Sequence, residues 1–560
     1  MFSHLLRKLD SLLSGYRRFP VTIACHDGLV WRIVPEASRI LGAQAPDLAE
    51  WRRAGRMTVV KENLQREISR VELPRGTVYL KLCRANTPRA WLRELLRPAK
   101  ARLEFENALL LAQRGIPSIR PLAWASSGHG WPASSYLITE AAEASTPLQD
   151  WLESESLLPT ERRALALALG QFFAQLHDAG VCHPDPHPGN LLLESSPSRR
   201  YRLLLMDLHA IRFRKSLSWN ECRENLVLLN RFFQLRATRT DRLRFWRSYV
   251  QHQHGQITDP DRKAREIENA TARSNLRFWA NRTARYIGKN REFLPIRGPG
   301  VSGFALRRCP AEVTAFCLTN PDRLFTEPGG RLLKDSPSST VVERVLETCT
   351  GPITIIAKRF RARSFLQQLK NRFRPSPAYR SWLSGHALHD RDLPTARPLM
   401  MLQRQRSLGP AEGYIIFEKV PDACELCERV RDFPAEIPGL AEKLGRLIRL
   451  LHERQVSHRD LKAPNLLLSG PNAEPVLIDL VGVVTGVDVP FKVRVRDLSR
   501  LNVSFWDVPE VRRSHRLRFL RAYLGGLGST GDDWKRWWLA ITRASMAKIA
   551  RNQRRQRPIG

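Results

Sequence analysis

The chain has 560 residues and a strongly positive charge, and both properties limit what it can be. A single hydrophobic core stops growing near about 250–300 residues, so the length indicates two or three domains. Lysine and arginine number 91 against 55 acidic residues, which gives a formal net charge of +36. Only 16 of these cations are lysine, so arginine supplies the other 75. The apolar fraction of 42% excludes a disordered or fibrous chain.

The excess of arginine has two interpretations. It fits a polyanionic partner, such as a phosphorylated lipid, an anionic membrane surface or a nucleic acid, because the planar guanidinium donates two parallel hydrogen bonds to phosphate. It also fits a genome that places arginine on every solvated face, and composition does not choose between the two. Arginine-rich helices without interleaved aromatic residues are poor stacking platforms for bases, so we expect no nucleic-acid partner.

The N-terminal segment, residues 1–55, has basic flanks but no apolar core of signal-peptide length. Its leucines fit one face of a short helix that rests either on the body of the protein or on a membrane surface. No stretch of the chain reaches the roughly 18–20 apolar residues of a spanning helix. The nine cysteines are scattered and odd in number, which indicates a reducing compartment. We therefore expect a cytoplasmic protein, either soluble or peripheral on a membrane.

The predicted elements after this segment begin with an apolar strand, TVYLK, that ends at Lys81. A helix that carries Glu104 follows. The next helix has apolar residues at steps of 0, 4, 7, 8 and 11, which build one buried face: Leu165, Leu169, Phe172, Phe173 and Leu176. The segment VCHPDPHPGNLLL occupies Val181–Leu193, and another apolar strand leads to Asp207. The segment RLRFWRSY closes the series at Arg242–Tyr249.

The same series recurs in the second half at a nearly constant offset. VSHRDLKAPNLLL occupies Val456–Leu468, which is 275 residues after its counterpart. The other matches are TIIAK ending at Lys358, the helix face Leu440, Leu444, Leu447, Ile448 and Leu451, VLIDLVG with Asp479, and RLRFLRAY at Arg516–Tyr523. Five matches in one order predict a tandem duplication.

The duplication sets the predicted boundaries. The domains are residues 56–252 and 331–545. Residues 253–330 are interpreted as a linker, because Arg262–Lys289 has the composition of a charged helix and a Gly/Pro-rich stretch with RGPGVSG follows it. The tail, residues 546–560, is basic and is expected to be loosely ordered.

The repeat contains twice the residues that phosphoryl transfer requires. Transfer needs cations on the phosphates, a carboxylate near the acceptor hydroxyl and fixed geometry. The pattern His-x-Asp-x-x-x-x-Asn places a carboxylate for the hydroxyl proton five residues before an amide that ligates a metal. A second carboxylate after the next strand would hold magnesium, and the strand lysine would neutralise the phosphates. The residues are Asp185, Asn190, Asp207 and Lys81 in the first copy, and Asp460, Asn465, Asp479 and Lys358 in the second.

These motifs resemble the protein-kinase fold, because strand lysine, helix, catalytic loop, strand and second aspartate stand in that family's order. HRDLKAPN adds Lys462 two residues after Asp460, and DLVG resembles the Asp-Phe-Gly turn. Within the fold, the segments Leu332–Val342, Arg380–Leu399 and Glu104–Trp124 resemble the bacterial lipopolysaccharide kinases of the Kdo/WaaP family. DPHPGN is also similar to the atypical kinases linked to ubiquinone synthesis.

The two copies depart from that family at different places. The resemblance makes Glu104 the partner of the strand lysine, and the second copy has Ser381 at the aligned position. The first copy has His209 where the second has Gly482, and prolines flank its catalytic aspartate. The second copy lacks only the glutamate that orients the strand lysine, whereas the first copy has an altered turn at the aspartate that would place magnesium. Loss of an orienting group is easier to compensate than loss of that turn. We therefore predict that the second copy is the main catalytic domain.

The resemblance implies an α+β protein of two tandem kinase-like domains, each with a small β-rich N-lobe and a helical C-lobe. It implies ATP- and magnesium-dependent phosphorylation of a lipopolysaccharide inner-core sugar, Kdo or heptose, at the cytoplasmic face of the inner membrane. The acceptor would be lipopolysaccharide or another anionic glycolipid. A protein kinase, an atypical kinase or ATPase of a lipid pathway, and a nucleotide-binding pseudokinase scaffold that regulates a partner are the alternatives.

Overall fold

The computed structural model describes residues 19–42, 44–63, 65–87, 91–92, 97–127, 133–154, 157–195, 201–255, 257–361, 375–406, 409–525 and 533–556. The chain divides into two compact units, Met1–Ser274 and Asn275–Gly560. Each unit contains a seven-stranded antiparallel sheet followed by helices. The predicted α+β class and the predicted repetition of one fold are confirmed.

The sheet of the first unit is formed by β1 (Thr22–His26), β2 (Leu29–Ile33), β3 (Met57–Asn63), β4 (Arg66–Leu73), β5 (Gly76–Ala85), β6 (Pro121–Ser126) and β7 (Ala133–Glu140). Their order is β1-β2-β6-β7-β5-β4-β3. Every second residue from Glu67 to Val71 is buried, which is the period of two expected when one face of a sheet covers a core.

The remaining elements of the first unit surround the sheet or form the helical part. They are α1 (Ser38–Leu41), α2 (Leu48–Arg53), α3 (Lys100–Gln113), β8 (Ser145–Pro147), α4 (Leu148–Ser154), α5 (Pro159–Asp178), β9 (Val181–Cys182), β10 (Leu191–Ser195), β11 (Tyr201–Leu205), β12 (Arg212–Phe213), α6 (Trp219–Arg236), α7 (Arg239–His252) and α8 (Pro260–Arg282), whose C-terminal end belongs to the second unit.

The second unit repeats this arrangement. Its sheet is formed by β13 (Phe293–Gly298), β14 (Val301–Leu306), β15 (Gly330–Ser336), β16 (Ser339–Leu346), β17 (Ile353–Arg361), β18 (Pro398–Arg406) and β19 (Gly409–Glu418). The order, β13-β14-β18-β19-β17-β16-β15, is that of the first sheet. The other elements are α9 (Ala311–Thr319), α10 (Arg323–Thr326), α11 (Pro377–Asp390), β20 (Cys424–Glu425), α12 (Leu426–Asp432), α13 (Ile437–Glu453), β21 (Val456–His458), β22 (Leu466–Ser469), β23 (Glu474–Leu477), β24 (Val483–Thr485), α14 (Phe491–Val503), α15 (Arg513–Leu524) and α16 (Asp533–Arg554).

The helix before each His-x-Asp-x-x-x-x-Asn loop packs closely on a later helix. The apolar faces predicted for α5 and α13 are buried in the structure. A Cβ atom on Gly170 of α5 would lie 2.4 Å from the backbone oxygen of Phe245, and one on Gly445 of α13 would lie 2.5 Å from that of Phe519. Glycine at these positions therefore allows α5 to approach α7, and α13 to approach α15, more closely than any side chain would permit.

The histidine at the end of each of these helices explains the recurring aromatic segment downstream. His177 Nδ1 lies 2.8 Å from the hydroxyl of Tyr249, and His452 Nδ1 lies 2.8 Å from that of Tyr523. His177 Nε2 lies 3.0 Å from the amide oxygen of Asn225, which only accepts, so Nε2 carries the proton and Nδ1 accepts from tyrosine. Burial lowers the pKa of His177 to about 4, so the ring is neutral.

Three predicted boundaries differ from the structure. β1 and β2 lie inside the predicted N-terminal segment, yet β2 pairs with β6 in the sheet. β13 and β14 lie inside the predicted linker and pair with each other, and β14 also pairs with β18. Within RGPGVSG, Pro299 and Gly300 form the hairpin turn, where Gly300 has φ +68°, and Gly303 on β14 allows the close approach of the Met401 backbone. α16 continues to Arg554, through most of the predicted tail. None of the described helices is long and apolar enough to cross a bilayer.

Candidate active site

The first unit brings the strand lysine and two carboxylates together beside β5, an interior strand of its sheet. Lys81 is 9% exposed on β5, and its ammonium donates to the carboxylate of Glu104 on α3, which is 2% exposed. The same Nζ lies 3.1 Å from Asp207 Oδ1. A lysine held between two carboxylates has a fixed position, from which it could contact the phosphates of a nucleotide.

Asp207 itself sits in a left-handed backbone conformation, with φ 53°, at the start of the 3₁₀ turn Leu208–Ala210. His209 Nδ1 lies 3.1 Å from Asp207 Oδ1 and is the largest cause that lowers the pKa of this carboxyl. Burial opposes the shift, and the charges of Lys81 and Arg66 add to it. The pKa is held well below its ordinary range, so the group is ionised at neutral pH.

The catalytic loop of the first unit is shaped by hydrogen bonds among its own residues. The backbone N–H of Asp185 donates to His183 Nδ1 over 3.1 Å, and Asn190 Nδ2 donates to the Asp185 backbone oxygen over 2.9 Å. His183 Nε2 donates to the backbone oxygen of Met206 over 3.2 Å, next to Asp207 in the chain. The Asp185 carboxylate is exposed to solvent, where an acceptor hydroxyl can reach it.

The second unit forms the same loop and adds cations to its aspartate. Asp460 N–H donates to His458 Nδ1 over 3.1 Å, and Asn465 Nδ2 donates to the Asp460 backbone oxygen over 2.8 Å. Lys462 Nζ lies 3.1 Å, and Arg500 Nη1 3.7 Å, from the Asp460 carboxylate. Burial alone would raise the pKa of Asp460, but the hydrogen bond and charge of Lys462, together with the charges of His458 and Arg500, outweigh it, so the net shift is downward.

The strand lysine of the second unit has a simpler set of partners. Lys358 Nζ donates to Asp479 Oδ1 over 2.8 Å. Asp479 has φ 56°, close to that of its counterpart in the first unit. On α11, Ser381 occupies the position of the helix glutamate, and its hydroxyl donates to the backbone oxygen of Pro377 over 2.9 Å. Among the residues that the structure describes, Asp479 is therefore the one carboxylate that contacts this lysine.

The predicted alignment of the two turns after these aspartates was wrong by one residue. The 3₁₀ turns Leu208–Ala210 and Leu480–Gly482 correspond, so Ala210 matches Gly482. His209 instead matches Val481. Both turns begin directly after the aspartate, so counting from the aspartate rather than from the glycine gives the correct match.

The buried polar residue that supports each catalytic loop was not predicted from the sequence. Asn225 on α6 donates to the backbone oxygen of His183, and the fully buried Asp497 on α14 accepts from the backbone N–H of His458 over 2.9 Å. The two are 272 residues apart, the same offset as between Asp207 and Asp479. The sequence pattern that could have identified both residues is a polar residue within an apolar helix face that recurs at the same offset.

Asp497→Ala is expected to lower the free energy of unfolding of the second unit by about 3–5 kcal/mol, because it removes one partner of a buried charged network. Asp497 also contacts Arg496, at 2.7 Å, and lies 3.6 Å from His452 Nε2. Asp497→Asn keeps an acceptor oxygen and is expected to cost less. Denaturant unfolding measures both. Asp507→Ala, at an exposed position, is the control, and equal stability of Asp497→Ala and this control would contradict the assignment.

The loop amides and the second aspartates suit a hard divalent cation such as Mg²⁺, which prefers oxygen ligands. In both loops the amide nitrogen of Asn190 or Asn465 is bound to the backbone, which leaves the amide oxygen for a metal. Asp207 and Asp479 would supply the second ligand in each unit. In the first unit, Glu104, Asp207 and His209 also place three potential ligand atoms within 4.8 Å of one another.

Comparison with protein families matches residues 44–249 and 361–523 to the lipopolysaccharide kinase (Kdo/WaaP) family. Two similar curated proteins are each named 3-deoxy-D-manno-octulosonic acid kinase. That of Photobacterium profundum is 30% identical over 136 residues, which are 24% of this chain and 53% of that protein. That of Actinobacillus succinogenes is 26% identical over 152 residues, which are 26% of this chain and 56% of that protein. The chain spans about half the length of the curated relatives it matches.

A solved structure described as WaaP in complex with acyl carrier protein is 20% identical, with a TM-score of 0.32, and the match covers 43% of this chain and 98% of that one. The family match falls once in each unit, as the repeat in the sequence predicts. The two matched regions together make up more than half of the 560 residues. The chain therefore belongs to the lipopolysaccharide kinase (Kdo/WaaP) family.

Proposed function

We propose that this chain is an ATP- and Mg²⁺-dependent phosphotransferase that phosphorylates a hydroxyl of a lipopolysaccharide inner-core sugar, Kdo or heptose. The observation that carries the proposal is the arrangement repeated in both units: a strand lysine bound to the second aspartate, beside a loop whose aspartate and asparagine are fixed by backbone hydrogen bonds. The curated relatives are named as kinases of such a sugar, which supports the choice of acceptor.

The second unit is proposed as the main catalytic domain. Its Asp460 accepts the proton of the acceptor hydroxyl, and Lys462, 3.1 Å from that carboxylate, balances charge on the transferring phosphoryl group. Lys358 neutralises the α- and β-phosphates of ATP. Asn465 and Asp479 would hold the metal, which when bound supplies charge neutralisation on the phosphates. The first unit, with Lys81, Glu104 and Asp207 in contact, would bind nucleotide and provide a weaker second site.

The test is phosphate transfer from ATP to a lipid A acceptor that carries inner-core sugars, followed by mass spectrometry of the product. The control is the chain with Asp185→Asn and Asp460→Asn together. A wild-type product that gains phosphate, absent with the control, supports the proposal. Phosphorylation of added protein but not of glycolipid would favour a protein kinase. Nucleotide binding without turnover on any acceptor would favour a pseudokinase scaffold.

We also propose that the protein works at the anionic cytoplasmic face of the inner membrane, to which the net charge of +36 would attract it. Binding to anionic vesicles is expected to fall steeply between low and physiological salt, because exposed charges are screened beyond about 8–10 Å at physiological ionic strength. Vesicle co-sedimentation over a salt series measures this, with neutral vesicles as the control. Equal partitioning onto neutral and anionic vesicles would contradict the proposal.

A further inference from the structure

The C-terminal end of α8 and the 3₁₀ turn after it hold the C-terminal end of α11, and all three segments belong to the second unit. The carboxylate of Asp390 on α11 accepts from the guanidinium of Arg282 and from the hydroxyl of Tyr286. Trp279 Nε1 donates to the backbone oxygen of Asp390 over 2.9 Å. The Arg282 and Asp390 side chains are 17% and 15% exposed, so solvent screens their ion pair only weakly. These four residues are called the clamp below.

α11 also contacts the 3₁₀ turn Leu480–Gly482, which directly follows the proposed metal ligand Asp479. Arg380 Nη1 on α11 donates to a backbone oxygen of this turn over 3.3 Å. A Cβ atom on Gly385 would lie 3.2 Å from Leu480 Cδ1, so the helix and the turn are closely packed at this point. The position of the metal ligand therefore depends on the position of α11.

The first unit fixes the corresponding helix, α3, by different contacts. Glu104 binds the strand lysine, and Asn107 Nδ2 donates over 2.7 Å to the backbone oxygen of Leu208, in the turn after the second aspartate. Both helices have 14 residues, and aligning them places serine at both positions in the second unit. The counterpart of Asp390 is Gln113, which is exposed. The second unit thus lacks the two anchoring side chains of the first and has an anchored carboxylate at the other end of the helix.

We propose that the clamp takes the place of the absent glutamate, and that Asp390 is a positioning residue that holds α11 against the turn after Asp479 and so fixes the Mg²⁺–ATP site of the second unit. The inference rests on the proposed function and adds to it residues 279–286, which touch neither substrate nor metal. Contacts that orient a metal ligand typically contribute about 10–100-fold to metal affinity or activity. Release of one end of α11 has such an effect, because a functional geometry has to be kept within roughly 0.5 Å by the elements that carry it.

The test measures the affinity of the full-length chain for a non-hydrolysable ATP analogue with Mg²⁺ by calorimetry. Lys81→Met is the parent, because it weakens the site of the first unit. Asp390→Asn keeps the size of the side chain and removes the charge that pairs with Arg282. We expect this change to weaken binding about 10–100-fold and to raise the Mg²⁺ concentration that binding requires. Glu436→Gln is the matched control, because it breaks the ion pair with Arg429 elsewhere in the same unit, and it should leave the affinity unchanged.

A second substitution, Ser381→Glu, distinguishes a positioning role from a purely structural one. It offers Lys358 the kind of partner that Glu104 provides in the first unit. In the chain with Asp390→Asn, it is expected to recover most of the lost affinity, because the lysine and the helix are then linked directly. An undiminished loss of affinity in this double variant would show that the clamp does not replace the glutamate.

Tyr286→Phe keeps the buried ring and removes one hydrogen bond to Asp390, so it tests the clamp if Asp390→Asn does not fold. We expect a smaller loss of affinity in the same direction. An unchanged affinity together with a lower unfolding midpoint would refute the inference, because the clamp would then only stabilise the fold. Binding requires no acceptor, so a failure to phosphorylate any sugar overturns the proposed acceptor and leaves this inference standing. A parent chain that binds no nucleotide in the second unit would refute both.

Discussion

Asp460→Asn is expected to lower kcat about 10²–10⁴-fold, the range for loss of a positioned general base. The change removes the oxygen that accepts the hydroxyl proton and keeps the shape of the side chain. The loop should keep its conformation, because the contacts to His458 and Asn465 at 3.1 and 2.8 Å use the backbone N–H and carbonyl of residue 460. Single-turnover phosphate transfer at saturating ATP measures the effect, and the unfolding midpoint checks the fold.

Asp185→Asn is the matched control for this variant, since it makes the same change in the same loop of the first unit. Its effect on kcat is expected to be much smaller. A wild-type kcat in Asp460→Asn would remove the catalytic role from this residue. An equal loss in both variants would show that the two units act together on the acceptor.

Asp479→Ala is expected to lower kcat/KM by about 10²–10³, the range for removal of one preorganised electrostatic group. Asp479 is the proposed metal ligand, and it is also the carboxylate 2.8 Å from Lys358. The variant therefore loses a metal ligand and leaves the lysine without the contact that positions it. The Mg²⁺ concentration required for half-maximal rate should rise as well. Initial rates over a matrix of ATP and Mg²⁺ concentrations measure both quantities.

Asp207→Ala provides the comparison, because Asp207 has the same place in the first unit and the same left-handed backbone. Under the assignment of the second unit as the main catalyst, this variant retains most of the wild-type rate. An inactive Asp207→Ala together with a nearly wild-type Asp479→Ala would reverse the assignment. The first unit would then be the enzyme, with Glu104 as the group that its lysine requires.

The residues of each catalytic loop could be predicted because their geometry is local. His, Asp and Asn lie within eight residues, and their mutual hydrogen bonds depend on a single loop conformation. The pairing of Lys81 with Glu104 was predicted from family order alone, and the structure places the two in contact. The hairpin of β13 and β14 was missed, because a glycine-rich stretch has the same composition in a linker and in a tight turn between paired strands.

Order and spacing along the chain were enough to predict a duplication and to identify the lysine, aspartate and asparagine residues that recur in each copy, while the α+β class came from the family resemblance. A repeat preserves exactly these two properties, and neither requires coordinates. The group that reaches the predicted catalytic aspartate from a later helix became known only through helix packing. Arg500 lies on α14, 40 residues after Asp460, and its guanidinium is 3.7 Å from the Asp460 carboxylate. Its approach depends on how α14 packs, because contacts between side chains on different elements are set by the relative placement of those elements and not by separation along the chain.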